Sequence, residues 1–240
     1  MSGIFIVLHP TVDVIYYFKI IYMRRGYIMK RLNRIIAVIL SIALIAGFFA
    51  LPASAADNTY SGDEYVARMY VTQKGRNANL SGHTWIYIEN LSNHNIQVGL
   101  YTVAPNKGVS VGTYGYSISS GRGLYYNVEA YRYNKLGIND YIYLSKDITQ
   151  SQLENVSNKI IISDYWAYIL NCAFFAFTTW NVVPGYPLVY LLFPFMAMLE
   201  IMMYPSHGVG FPMYYPRLSE VFKQDGFGKN AYLVNVDPNS

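Results

Sequence analysis

The stretch NCAFFAFTTWN, residues 171–181, holds Cys172, the single cysteine among 240 residues. Exported chains usually carry an even number of cysteines or none, so one unpaired thiol invites a chemical explanation. Asn171 is a strong helix N-cap type. If it caps a helix over CAFFAFTTWNVV, Cys172 takes the first position. Free backbone N–H groups and the positive dipole end there favour thiolate over thiol, and a thiolate is a nucleophile. The competing role is structural. A free cysteine packs well as a small hydrophobe, and CAFFAF is apolar enough for a core helix.

A cysteine nucleophile needs a base, and the chain has four histidines. His9 lies in the N-terminal leader described below. His83 opens the strand-like run HTWIYIEN, where its imidazole can reach a helix N-terminus packed beside the sheet. His94, in LSNHNI, reads as a solvated hairpin residue, and His207, in PSHGVG, as a loop residue. A third group must orient the base. Glu129, a carboxylate among tyrosines in the strand-like YYNVEAYRY, is the first choice, with Glu89 and Asn90 behind it. An edge-strand charge is the structural alternative for Glu129. No metal-ligand spacing and no cofactor motif is present.

The elements that would position these groups follow from the periodicity. Residues 56–80 are polar and read as irregular. In HTWIYIEN, His83, Trp85, Tyr87 and Glu89 share one face of a strand, while Thr84, Ile86 and Ile88 share the other. IQVGLYTV, GVSVGTYG, GLYYNVEAYRY and DYIYLS read as further strands, with PNKG at 105–108 as a turn. The period then changes. Thr149 and Gln152 have capping-box spacing, and Leu153, Val156 and Ile160 form an apolar helix face. The apolar segment 185–205 approaches membrane-spanning length, but Pro187, Pro194 and Glu200 interrupt it. It reads as an apolar lid or membrane-facing helix at the cleft mouth, with a buried core helix as the alternative. LSEVFKQDGFG reads as a short helix stopped by Gly226, and NAYLVNVD as a last strand or tail.

The front of the chain reads as an address. Lys30, Arg31 and Arg34 precede an uncharged apolar run, Ile35 to Leu51, and Ala53-Ser54-Ala55 supplies the small-x-small cleavage pattern. Residues 29–55 are therefore expected to be a signal peptide, giving a secreted or cell-surface protein, with an uncleaved anchor as the alternative. Residues 1–28 do not fit that plan. The codons of Arg24-Arg25-Gly26 can read as a ribosome-binding sequence just ahead of Met29, so 1–28 are expected to be translated upstream DNA. Of the 18 Lys+Arg and 14 Asp+Glu, six and one fall in residues 1–55, leaving 12 and 13 in the body. A near-neutral body carries no electrostatic footprint for nucleic acid.

The order GHTWIYIEN, then NVEAY, then NCAFFAFTTWN resembles the circularly permuted papain-like group of the NlpC-type superfamily, shared by lecithin:retinol acyltransferase-like proteins. The likeness covers about residues 80–182. It implies His83 as base, Cys172 as nucleophile and Glu129 as third polar residue, in a domain spanning 81–240. The expected fold is thus α+β, an antiparallel sheet carrying His83 and Glu129 and packed against the helix that starts at Cys172. The expected function is an exported thiol amidase or peptidase acting on cell-wall peptides. Backbone N–H groups near Cys172 would serve the oxyanion. Three alternatives stay open: acyl hydrolysis or transfer on lipid with 185–205 holding the chain, a Cys172–His207 pair, and a non-catalytic module whose tyrosines bind glycan or peptide.

Overall fold

The computed structural model describes residues 64–74, 82–115, 123–167, 170–189 and 194–239. The expected upstream segment 1–28 and signal peptide 29–55 lie outside them. The described chain is mixed α+β, a large antiparallel sheet with helices against it. The strands are β1 (Tyr65–Gln73), β2 (Thr84–Asn90), β3 (Ile96–Val98), β4 (Tyr101–Val103), β5 (Gly108–Tyr114), β6 (Gly123–Tyr126), β7 (Ile142–Thr149), β8 (Gly208–Val209), β9 (Phe222–Asp225) and β10 (Tyr232–Asn235). The helices are α1 (Val128–Leu136), α2 (Gln150–Ile161), α3 (Cys172–Trp180) and α4 (Pro194–Met203). The main sheet runs β10-β9-β6-β5-β2-β1-β7-β8, and β3 and β4 form a separate hairpin.

Both faces of the central strands are covered, and the alternation of β2 divides them. Ile86 and Ile88 join an aliphatic core with Val109, Val111, Phe175, Phe177 and Trp180, which places α3 on that face. Trp85 and Tyr87 join Tyr70, Ala130, Tyr133 and Tyr141 on the other, aromatic face, where α1 packs on β5. Period-two alternation thus sends the two halves of one strand into two different cores.

Three sequence expectations are corrected here. Residues 56–80 are not wholly irregular, because β1 at Tyr65–Gln73 lies inside the sheet between β2 and β7. Its nearly continuous burial explains the error, since a strand covered on both faces loses the polar–apolar alternation that marks a half-exposed one. Glu129 is not on a strand. GLYY ends as β6, Asn127 turns the backbone with φ 66°, and VEAYRYNKL runs as α1. An asparagine accepts that left-handed conformation more readily than most residues. Finally, LSEVFKQDG is a single 3₁₀ turn, Leu218–Glu220, followed by β9, although Gly226 does end that segment, at φ 76°.

Two helix readings match the structure. Thr149 and Gln152 form a reciprocal capping box, with Thr149 N–H donating to Gln152 Oε1 at 3.0 Å and Gln152 N–H to Thr149 Oγ1 at 3.4 Å. Asn171 caps α3, its Oδ1 accepting from Ala173 N–H at 3.0 Å, so Cys172 is the first helical residue. Such a cap stabilises a helix by about 1 kcal/mol and here also fixes where the cysteine stands.

The described start of the apolar segment after α3 is tied down away from that cysteine. Asn181 exchanges two hydrogen bonds with Leu188, and Trp180 Nε1 donates to the Tyr186 carbonyl at 2.7 Å. The strap is therefore fastened to the C-terminal end of α3, the end opposite Cys172. In α4, Ala197 and Ile201 are buried, while Leu199, Met202 and Met203 are exposed. Among the described residues no helix is long and apolar enough to cross a membrane.

Candidate active site

Three elements converge at one end of β2. His83 immediately precedes that strand, Cys172 opens α3 on the aliphatic face, and Glu129 sits in the first turn of α1 on the aromatic face. The histidine at the strand end bridges two helices that the sheet otherwise separates. His83 Nε2 lies 2.8 Å from Glu129 Oε1, and the imidazole also hydrogen-bonds the Cys172 thiol. With Nε2 engaged by the carboxylate, Nδ1 is the nitrogen left for sulfur. The Cys172 side chain is almost enclosed, whereas the His83 side chain keeps 18% of its surface exposed.

Glu129 is fully buried and its carboxylate is well held. Oε2 accepts from Ser110 Oγ at 2.8 Å, and Ser110 Oγ accepts in turn from the Ala130 N–H at 3.1 Å. The Tyr114 hydroxyl also bonds Glu129, and the Tyr114 ring lies 4.4 Å from the His83 ring, tilted by 34°. Gly112 leaves room for this arrangement. A Cβ there would overlap Glu129 Oε1 and stand 3.3 Å from His83 Nε2.

The electrostatics favour a charged pair. Burial works against the imidazolium, but the Cys172 charge and hydrogen bond, then the Glu129 bond, outweigh it and raise His83 to about 9. Burial likewise works against the thiolate. The His83 charge and hydrogen bond outweigh it, helped by N–H groups of Thr84 and Ala173 that donate to sulfur, and hold the thiol below its ordinary value. Opposite charges and donated hydrogen bonds each stabilise the ionised form, which is why the pair overcomes its own desolvation. Each charge thus stabilises the other, which favours a thiolate beside an imidazolium that the buried Glu129 side chain orients.

The other candidates lie elsewhere. Glu89 is at the far end of β2 and accepts from the Tyr70 hydroxyl at 3.0 Å. Asn90 donates to the His94 and Val103 carbonyls at 2.8 and 2.9 Å. Seven strand residues span about 20 Å, so neither can orient His83. His207 bonds the Tyr204 carbonyl through Nδ1 at 2.8 Å and His94 is exposed, whereas the histidine that bonds the Cys172 thiol is His83. Among the described residues no group of three or more His, Cys, Asp or Glu could hold a metal ion. Sequence reasoning did not single out Ser110, Gly112 or Tyr114. Their alternate positions on one face of GVSVGTY were the available signal, once that strand is set against the helix bearing Glu129.

No family model, curated protein or solved structure matches this chain.

Proposed function

We propose that this protein is an exported cysteine hydrolase of permuted papain-like type that cleaves amide bonds in peptides, with cell-wall peptides as the substrate class. The observation that carries the reading is the Cys172–His83–Glu129 chain of contacts, with the sulfur at a helix N-terminus. In the mechanism the thiolate attacks the substrate carbonyl carbon. His83 delivers its proton to the departing amine, leaving a thioester on Cys172. His83 then takes a proton from water, which attacks the thioester and releases the acid. Glu129 keeps the imidazole in the orientation that both transfers need. The order of base before nucleophile supports the permuted papain-like assignment. The leader at 29–55 supports a secreted or cell-surface location, where peptidoglycan fragments are available.

Incubating the purified full chain with muropeptides and with short peptides tests the proposal. New free amino groups, lost in Cys172→Ala, are the expected result. Intact substrates across both sets would sink it. A second reading keeps the same three residues and replaces the amide with a lipid acyl ester. It is favoured by the exposed Leu199, Met202 and Met203 on α4, an apolar stripe suited to a membrane surface. Cleavage of lipid esters with muropeptides left intact would select it.

A further inference from the structure

An aromatic wall stands beside the proposed nucleophile, and the bond-breaking chemistry does not use it. The chain approaches Cys172 through Asp164, Tyr165, Trp166 and Leu170. Two contacts hold this approach against the strand ends. Asp164 Oδ1 accepts from the Leu124 N–H of β6 at 2.7 Å. Trp166 lies on Gly115, the residue that follows β5. A Cβ on Gly115 would stand 2.8, 2.8 and 2.9 Å from Cε3, Cζ3 and Cδ2 of the indole. Three adjacent ring atoms at nearly one distance mean that the ring rests on that Cα by its face.

The register of β5 on β2 sets this indole beside the reacting groups. Ile86 pairs with Val111 and Ile88 with Val109, so Tyr114 falls beside His83, and their rings are 4.4 Å apart. Alternation turns Tyr114 to the Glu129 side of the sheet. It turns Gly115 to the side of Val109 and Val111, where α3 lies. Gly115 is thus one strand spacing, about 5 Å, from the backbone that leads into His83, and the indole on it is on the Cys172 side. Trp166 is half-buried, and Tyr165 and Leu170 are exposed. The Tyr165 ring lies 6.5 Å from that of Phe174, in the first turn of α3. Residues 165–171 carry no charge, and the charge of Asp164 is answered by Lys223 beside Gly123. Binding clefts are lined in this way, by aromatic surface with few polar groups.

We propose that Trp166 is a specificity-determining residue that receives an uncharged, apolar or aromatic side chain of the substrate next to the scissile bond. This rests on the hydrolase reading of Cys172. A ring or alkyl group laid against the indole removes apolar surface of both partners from water. A carboxylate or ammonium in the same place would lose its water and gain no partner, because residues 165–171 offer no charge. The substrate class narrows accordingly, to peptides in which the bond that Cys172 attacks is flanked by an apolar residue.

Alkylation of Cys172 in the full chain tests this. Three probes share one reactive carbon: iodoacetamide, N-benzyl-iodoacetamide and N-(2-carboxyethyl)-iodoacetamide. In each, the thiolate forms the C–S bond and iodide leaves. Each rate is divided by that of the same probe with free cysteine. On that scale the wild type should prefer the benzyl probe to iodoacetamide by about 10-fold and disfavour the carboxylate probe. Trp166→Ala should erase the benzyl preference yet react with iodoacetamide within about twofold of the wild type, which also reports that the site has folded. Trp166→Phe should keep most of the preference. Gly115→Ala retains the indole but displaces it, and should weaken the preference. Equal slowing with all three probes in Trp166→Ala would make the residue a structural clamp and overturn the proposal. So would a wild type without the preference, or a preference that survives Trp166→Ala. A Cys172 that none of the probes modifies overturns the hydrolase reading itself, and the Trp166 role with it.

Discussion

Glu129 Oε1 stands 2.8 Å from His83 Nε2, so the carboxylate on one face of the sheet sets which ring nitrogen meets the thiol on the other. Replacing it with glutamine removes the charge while leaving an acceptor for Ser110. Glu129→Gln should lower kcat by about 10- to 100-fold, part of what a positioned base contributes. It should also move the alkaline limb of the pH profile below its wild-type position. Steady-state kinetics across pH would show whether both changes occur together.

The charged pair predicts a bell-shaped profile. On the acid side activity falls as the thiolate is protonated, at a pH below the ordinary cysteine value because His83 holds the thiol down. On the alkaline side it falls near pH 9 as the imidazolium loses its proton. Iodoacetamide alkylation isolates the acid limb. In His83→Ala its midpoint should rise toward the ordinary thiol range of about 8.5. A midpoint unmoved by that substitution would show that the two side chains do not share charge.

Gly112 tests the fit of the carboxylate. A methyl group at this position overlaps Glu129 Oε1, and the backbone of β5 is held between β2 and β6. Gly112→Ala should destabilise the fold by about 1–3 kcal/mol, the usual range for overpacking. Its activity–pH profile should shift in the same direction as that of Glu129→Gln. Chemical denaturation and kinetics on one preparation would measure both effects.

Asn171 links folding to reactivity in a single residue. Asn171→Ala removes the acceptor for the Ala173 N–H and should cost about 1 kcal/mol of stability. The same substitution frays the turn that presents N–H groups to sulfur, so the alkylation midpoint should rise. A loss of stability with no change in midpoint would separate the cap from the chemistry.

Glu200 predicts a pH dependence of stability unrelated to the active site. Burial raises its pKa to about 7 against the opposing hydrogen bond from the Val189 N–H, and Oε2 has no partner. A group whose pKa is raised on folding stabilises the fold fully below its unfolded value, here about 4.5, and loses that contribution as pH rises through about 7. Thermal unfolding of the wild type should therefore weaken between those limits. Glu200→Gln should remove this dependence and be more stable than the wild type at pH 8. Parallel melting curves from pH 4 to pH 8 would test this.

Much of the site was legible because its determinants are local. Asn171 and Cys172 are adjacent, and capping is decided within one turn. His83 was found through the strand that follows it, whose alternation places Trp85 and Tyr87 away from Ile86 and Ile88. Glu129 stands out for an electrostatic reason, a carboxylate among tyrosines, and that reason holds on a helix as well as on a strand. The helix that carries it begins at a left-handed asparagine, a backbone choice that strand-like composition concealed. Strand β1 was out of reach. It is buried on both faces, and its place rests on pairing with β2 and β7, which no local pattern announces. How the strap after α3 is fastened was hidden for a similar reason. Its apolar length was plain, but the hydrogen bonds that tie it to Trp180 and Asn181 are tertiary.

The separation of Cys172 and Glu129 onto opposite faces of the sheet has a consequence for the chain before it is finished. Neither helix can bring its functional group to the strand end alone, and that strand end exists only once β1, β2 and β5 are paired. A nascent or unfolded chain therefore carries an ordinary thiol, protonated at neutral pH and slow to react. Reactivity requires both helices to be packed on the paired strands, so the alkylation rate of Cys172 reads out completed assembly of the site.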